Sequence, residues 1–528
     1  MNRLYLVSIL LMSQGQVTAE TMIYGESQKV TSFAPYTSHE SSGKRISDLM
    51  FDNLIATDQT GSYIPHLAES WSIEDQGVSV LITLRKGIRW HASPKHPKTQ
   101  FLSTADLAAT VRVLTSVRSQ IPNKNRFHDL KHVETLSPQK ARIHFKRALS
   151  DPLRSLMFKI FPAHILKNAE FLERDSALSN HPIGTGPFQF TSYNDKGEVL
   201  LSANPDYFKG KPNIPQVLLK TFTDQNIMAQ SLMYEALDLI TYVSPRDFSE
   251  IMGDQRLGLI PYDALSFTFF ALNNRNRHLK HKRVRQALGH LVNRQEMLTA
   301  FFNGKGTLIS GPFPPTSWAY NLAVKGKPYN AEAADTLLKN QGYVKKDGAW
   351  HDSTGAPLKF TFAVPISSEG ETIKRISLAL QGYFASAGID LELKFMDWLV
   401  WKETVLRDHE YDLTIASWSF DDASNITSLF HSSSAGKWGN NFVGFKNREV
   451  DSLLTEASST NDFDKRRAIY RRLHTILAEE SPYIYLWTLM HHAAHSTKLS
   501  NVQVDASSFF KYVNKWSLKE GDHGRKRQ

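Results

Sequence analysis

The chain has 528 residues, of which 41% are hydrophobic and 22% charged, with no cysteine and a formal charge of +10. That composition excludes a disordered chain and a disulfide scaffold, and the length exceeds what one hydrophobic core usually supports, so two or three packed domains are expected. The missing cysteine also rules out an amino-terminal Cys for lipid attachment. The basic balance favours acidic partners or anionic surfaces.

Met1-Asn2-Arg3 is a short basic start, Leu4 to Met12 is apolar, and Val17-Thr18-Ala19 offers small residues before Glu20. This pattern reads as a cleavable secretory signal over residues 1–19, with an apolar run about half the ~20 residues that span a bilayer. A free periplasmic protein, not a lipoprotein, is expected, and export argues against nucleic acid as a partner.

Further along, strands and helices interleave without a fixed repeat, which predicts mixed α/β domains. Ser41 to Ile55 reads as a helix with Ile46, Leu49, Met50, Leu54 and Ile55 on one face. Val78 to Leu84 reads as a strand extended by Arg85 to Trp90, and Ser103-Thr-Ala-Asp106 caps a helix through Leu114. Pro182 to Phe188 is a turn cluster in which Gly184 and Gly186 are expected to permit positive φ, followed by a strand to Tyr193. Leu265 to Asn273 is apolar enough for a buried strand, and Val284–Leu291 and Gln295–Phe302 read as helices.

A second series follows: helix Ala331–Asn340, strand Leu358–Val364, helix Glu371–Ala387, strand Leu391–Phe395 and helix Leu399–Arg407. Tyr483 to Trp487 predicts a last strand. Between these, Tyr411 to Asp422 is a β-branched and aromatic run that delivers carboxylates to its carboxyl end. A carboxylate there, beside Trp418, suits a ligand ammonium against an aromatic wall, although an ordinary strand with an Asp-rich turn has the same pattern.

Several segments, in order, carry a resemblance. Leu67-Ala-Glu-Ser-Trp71, Leu84-Arg-Lys-Gly-Ile-Arg-Trp-His91, Gly184-Thr-Gly-Pro-Phe188, Asn204-Pro-Asp-Tyr-Phe-Lys-Gly210, Phe270-Ala-Leu-Asn273 with Val284-Arg-Gln-Ala-Leu288, Tyr411-Asp412-Leu413 and Val450-Asp451 resemble landmarks of the family 5 extracellular solute-binding proteins, the peptide and nickel class. The resemblance implies an α/β, two-lobed periplasmic-binding-protein fold of class II type. Residues 20–48, 180–268 and 488–528 would form lobe I, 49–179 an additional subdomain, and 269–487 lobe II. It implies a monomeric receptor that closes on a peptide or other small solute and delivers it to an ABC permease, without enzymatic turnover or cofactor.

By the same resemblance Asp421 would hold the ligand's α-ammonium, Ser417 and Ser419 would pair through their main chain, Trp418 and Trp398 would line the pocket, and His39, Glu40 and Ser41 would form the facing loop. Oligopeptide-binding members place an Arg six residues before that Asp, where this chain has Ile415, and a His where it has Thr372, with Lys374 and Arg375 nearby. Recognition of a free carboxyl terminus is thereby put in question, and a saccharide or a nickel complex stays open. His491-His492-Ala-Ala-His495 spaces imidazoles as helical metal ligands can be, the basis for the alternative of a secreted metal-dependent enzyme, but it lacks the Glu of the protease motif.

Overall fold

The structure is a computed structural model that describes residues 21–519 except 38–40, 59–61, 93–98, 122–123, 150, 167–170, 172–176, 245, 265, 367–369, 420–425 and 461. Its spine is one extended strand, Tyr483–Ser496, of 14 residues. The first half pairs antiparallel with Ser266–Leu272, the middle with Gly306–Leu308, and the second half with Leu257–Asp263. Beyond Ser266–Leu272 the order runs through Leu413–Ser419 and Lys359–Ile366 to Asp390–Asp397. On the other side it runs through Leu239–Ile240, Thr21–Glu26, Gln216–Thr221 and Val199–Ala203 to Phe188–Tyr193. Two chain segments therefore cross side by side from one half of the molecule to the other, which gives two lobes.

The strand Ser266–Leu272 shows why its sequence is a continuous apolar run. Side chains alternate across a strand. Phe267, Phe269 and Ala271 enter a core with Tyr483, Tyr485, Phe430 and Leu473. Phe270 and Leu272 enter another with Ile484, Leu486, Trp487, Phe362 and Phe384. From Phe269 to Leu272 both faces are buried and no polar residue alternates, while Ser266 and Thr268, half-buried, keep an alternation in the strand's first half. The first lobe has a continuous core from Met22 through Phe158 to Trp516. It includes a four-stranded antiparallel sheet, in which Ser79–Leu84 lies between Ala68–Glu74 and Lys140–Phe145, with Leu130–Thr135 at the far edge.

The capping box at Ser103 and Asp106 starts the helix Thr104–Thr115 as expected. The helix from Ser41 ends at Met50, not Ile55. Its last carbonyl is taken by Gly186 N–H (2.9 Å), while Leu54 N–H turns away to Phe158 O (2.8 Å), so tertiary partners outbid the next helical turn. Gly184 and Gly186 are accordingly needed for close approach and not for positive φ: a Cβ on either would collide with the Met50 carbonyl. The expected extension Arg85–Trp90 is instead a turn, with Gly87 at φ 75° and Arg89 bridged to Phe101. Leu399–Arg407 divides into a short helix, Trp398–Lys402, and a wider π-type turn, Glu403–Asp408.

The largest departure is at the carboxyl end, where the strand expected over Tyr483–Trp487 continues to Ser496 and carries the three histidines with it. In a strand, His491 and His495 stand ~13 Å apart along the chain axis and His492 faces the other way, so helical ligand spacing is lost. Among the described residues no cluster of His, Asp or Glu suits a metal ion. His491 is wedged edge-on between Tyr242 and Tyr262 (5.0 and 5.6 Å between centroids), and burial pushes its imidazole down to about 4.

Two other buried imidazoles are locked neutral by geometry. His91 donates Nε2–H to Gly186 O (3.0 Å) and accepts Gly184 N–H at Nδ1 (3.2 Å). His474 accepts Asn321 N–H at Nδ1 (2.9 Å) and contacts Ser310 Oγ through Nε2 (3.0 Å). A second ring proton would face an N–H in each case, and burial pushes both down to about 4.

Two predictions follow from these contacts. Gly184→Ala should lower unfolding stability by about 1–3 kcal/mol through overpacking, read as a reduced urea midpoint at unchanged slope. Because these histidines ionise more readily in the unfolded chain, stability should be full above their ordinary value near 6.5 and fall as pH drops from there to about 4, then level off. His91→Gln should flatten part of that slope in urea titrations at stepped pH.

Candidate functional site

Between the lobes lies a cavity of about 560 Å³. Its first-lobe wall is built from Ala34-Pro35-Tyr36, the helix Ser41–Met50, residues around Lys159, and the carboxyl-terminal segment from Ser507 to Asn514. Ser419, at the carboxyl end of the strand Leu413–Ser419, closes it from the second lobe. Ser41 and Ser419, both expected in the site, thus border one cavity.

A buried ion pair organises the first-lobe wall. Lys159 Nζ lies 2.8 Å from Asp48 Oδ1, each side chain 8% exposed, and also donates to Phe51 O (2.9 Å). Asp48 takes Ser508 Oγ–H (3.0 Å), and Lys159 N–H donates to the Tyr36 hydroxyl (2.7 Å). Four distant segments meet at this pair. Beside it, Asp52 accepts from His66 Nε2 (2.9 Å), Thr185 (2.9 Å) and Tyr207 (3.2 Å). Burial would raise the Asp52 carboxyl, but the hydrogen bond from His66 and the nearby Lys209 charge hold it below its usual value. Lys209 donates to His66 Nδ1 (2.8 Å), and burial keeps that imidazole below its ordinary range.

The second-lobe candidates are distributed differently. Ser417 pairs its hydroxyl with Thr268 (3.0 Å). Trp418 packs near Phe269 and Phe442 and donates Nε1–H to the Tyr483 hydroxyl (3.3 Å). Trp398 is 51% exposed and stacks on Trp401 at 4.9 Å. None of these three borders the cavity, whereas Asp421, His39 and Glu40 lie outside the described residues. Ile415 is a core residue, and Arg375 sits over the Phe301 ring at 5.5 Å. Neither Lys374 nor Arg375 borders the cavity.

Sequence reasoning missed Tyr36, Lys44, Asp48, Arg126 and Lys159. One signal was available: Lys159 interrupts the apolar run Leu156-Met-Phe-Lys-Ile-Phe161, and a lysine in such a run needs a buried partner. Outside the cavity lining, Arg466, on the second-lobe helix Phe463–Glu480, reaches Asp151 of the first lobe (3.0 Å), which also accepts the Tyr63 hydroxyl (2.7 Å). Both charges are mostly buried.

The description "Bacterial extracellular solute-binding proteins, family 5 Middle" matches residues 62–440, well over half of the chain, so the protein belongs to this family. It is similar to heme-binding protein A of Haemophilus influenzae, 25% identical over 88% of this chain and 86% of the relative. Similarity to the oligopeptide-binding protein AppA of Bacillus subtilis is 25% identity over 94% of this chain and 91% of AppA. The solved structure of AppA with a nonapeptide superposes with a TM-score of 0.74 at 24% identity, covering 95% of this chain and 99% of that one. NikZ of Campylobacter jejuni, solved with Ni(L-His), gives 0.76 at 22% identity over 95% and 100%. These likenesses establish the two-lobed family 5 fold.

Because the Asp151–Arg466 pair joins the lobes without bordering the cavity, Arg466→Ala should weaken closure by ~1 kcal/mol, about fivefold, and spare the fold. Small-angle scattering should show a larger radius of gyration for the ligand-free variant, with the melting temperature little changed.

Proposed function

We propose that this protein is the periplasmic substrate-binding component of an ABC importer, exported by a signal over residues 1–19, that captures peptides or peptide-like solutes by closure of its lobes. The observation that carries this reading is the placement of Ser419 in the inter-lobe cavity at the end of a strand with a free edge. Leu413–Ser419 pairs along its whole length with Ser266–Leu272, but with Lys359–Ile366 only at Leu413 and Thr414. Among the described residues, main chain 416–419 therefore keeps one edge without a ladder partner. An extended peptide can add there as a strand, its main chain supplying affinity while the cavity accommodates varied side chains. The peptide-binding relative AppA supports the same cargo.

The lobe limits follow the same reading: 20–48, 180–268 and 488–528 with the subdomain 49–179 against 269–487. Ligand contacts both halves only on closure, so binding free energy biases the hinge toward the form a permease engages, and no bond is made or broken. Asp421, two residues past Ser419, is assigned to the ligand's α-ammonium, with Ser417 and Ser419 as main-chain partners. Trp418 and Trp398 are assigned to the outer pocket, and His39 to Ser41 to the facing loop.

Native mass spectrometry of the mature protein, followed by thermal shift with peptides, saccharides and Ni²⁺, tests the cargo. A co-purifying peptide or a peptide-specific stabilisation is the expected result. A response to saccharide or metal alone would replace the ligand and leave the fold. Asp421→Asn should weaken a free peptide by more than about tenfold while leaving its N-acetylated form unaffected, the size expected for a charge-assisted hydrogen bond. Equal affinity of the variant and the parent for both forms, measured by calorimetry, would remove that role.

A further inference from the structure

The charges in the cavity wall do not balance. Lys44, Arg126, Lys159 and Lys511 line it against Asp48 and Asp52. Both carboxylates are fully engaged, Asp48 by Lys159 and Ser508, Asp52 by His66, Thr185 and Tyr207. Lys511 pairs outside the wall with Asp505 (2.9 Å). That leaves Lys44 and Arg126 without a carboxylate partner among the described residues. Lys44 gives one hydrogen bond, to Ser507 O (2.8 Å), and Arg126 one, to Met157 O (3.1 Å). An ammonium has three donors and a guanidinium five, so most of their N–H groups remain for another acceptor.

Solvated cations on a convex surface need no explanation. Lys44 and Arg126 are exposed in this structure, but they border one concavity together with Tyr36. The Arg126 guanidinium carbon lies 5.3 Å from the Tyr36 ring centroid. Burial raises the Tyr36 hydroxyl, and Arg126 and Lys44 both act against that rise, so both charges are felt at one oxygen. That oxygen accepts Lys159 N–H, and its own proton is given to no described residue. Tyr36 also stands at φ 70°, a left-handed conformation that costs a bulky residue about 1–3 kcal/mol and persists where surroundings over-determine it. The strain holds an aromatic hydroxyl in the cavity beside two spare cations.

We propose that Tyr36, Lys44 and Arg126 form a subsite for an anionic group of the ligand, a carboxylate, presented from the first lobe. It rests on the peptide reading above for the rest of the ligand. Among the described residues the second lobe gives the cavity wall only Ser419, so the charge that meets a ligand carboxylate is supplied from the opposite wall. When the lobes close, a buried carboxylate needs several N–H or O–H donors to offset its lost hydration, and this trio has them to spare.

The carboxylate can be the peptide terminus or an acidic side chain, and paired probes separate these. Calorimetry would compare Ala-Ala-Ala with its C-terminal amide, and Ala-Glu-Ala-amide with Ala-Gln-Ala-amide, for the wild type, Tyr36→Phe and the Lys44→Met, Arg126→Gln double variant. In the wild type at least one pair should favour the acid by about tenfold or more, as charge-assisted hydrogen bonds do, and the double variant should reduce that ratio to below about threefold. Tyr36→Phe should give an intermediate ratio. A wild-type ratio near one for both pairs would overturn the subsite and leave the peptide reading standing, even if the double variant does not fold. A preference that persists in a folded double variant would also overturn it. Should no peptide bind, citrate in thermal shift decides: stabilisation of the wild type but not of the double variant keeps the subsite and ends the peptide reading, and no response ends both.

Discussion

The segments that cross between the lobes, Leu257–Asp263 and Ser266–Leu272 on one side and Tyr483–Ser496 on the other, pair with each other in two stretches, and the rest of the architecture depends on that ladder. Because both lobes share its strands, they cannot separate without breaking it, and their relative motion is confined to bending where the ladder is thinnest. Among the described residues that place is at Asp263 and Ala264, opposite Leu489 and Met490. Ala264 N–H reaches Leu489 O at only 3.3 Å, the register shifts between Thr268 and Phe269, and Met490 is 41% exposed. On either side the packing is tight. Tyr483 to Trp487 is buried on both faces, and Ala493 and Ala494 are fully buried in the first lobe. A thinly paired bend between two buried ladder segments is where such a two-lobed protein can hinge.

How much of this was legible in the sequence varies with the cause of each element. The strand Ser266–Leu272 was readable because burial on both faces leaves it apolar from Phe269 on, Leu413–Ser419 because β-branched and aromatic residues follow its buried start, and the helix at Thr104 because its capping residues are local. The end of the first helix was not, since the Met50 carbonyl is claimed by Gly186, more than a hundred residues away. The strand after Trp487 was also hidden: Thr-Leu-Met-His-His-Ala-Ala-His has no period, because that stretch faces aromatic side chains in one lobe and solvent at the hinge. For the site, Ser41 and Ser419 came from family resemblance. Tyr36, Lys44 and Arg126 could not, because a strained φ and an unbalanced cavity charge arise only once the chain has folded.

The buried Lys159–Asp48 pair bears on how the two halves divide the work. Such pairs contribute little net stability, since desolvation offsets their attraction, but breaking one is costly, and this one is bonded to Phe51, Ser508 and, through the backbone, Tyr36. Its effect is to fix the relative positions of four segments that form the first-lobe wall. That wall is thereby organised before ligand arrives, and little ordering entropy remains to be lost there on binding. The second lobe contributes Ser419 at a strand end, a part of the site completed only when the hinge bends.

With one wall rigid and the other arriving, affinity is the product of contact strength and the population of the closed form. The Asp151–Arg466 pair joins the lobes outside the cavity lining, so for any ligand confined to that cavity it enters only the second factor. If the competent state is a fraction f of the molecules, every intrinsic dissociation constant is divided by that same f, and selectivity among ligands is unaltered. Discrimination must then come from the cavity wall itself, where the excess of cations over free carboxylates penalises a ligand that leaves them unpaired in a closed, dehydrated space. For the proposed peptide cargo, breadth for side chains and demand for charge are compatible, because a strand edge would read the ligand's main chain while the opposite wall would read its charge.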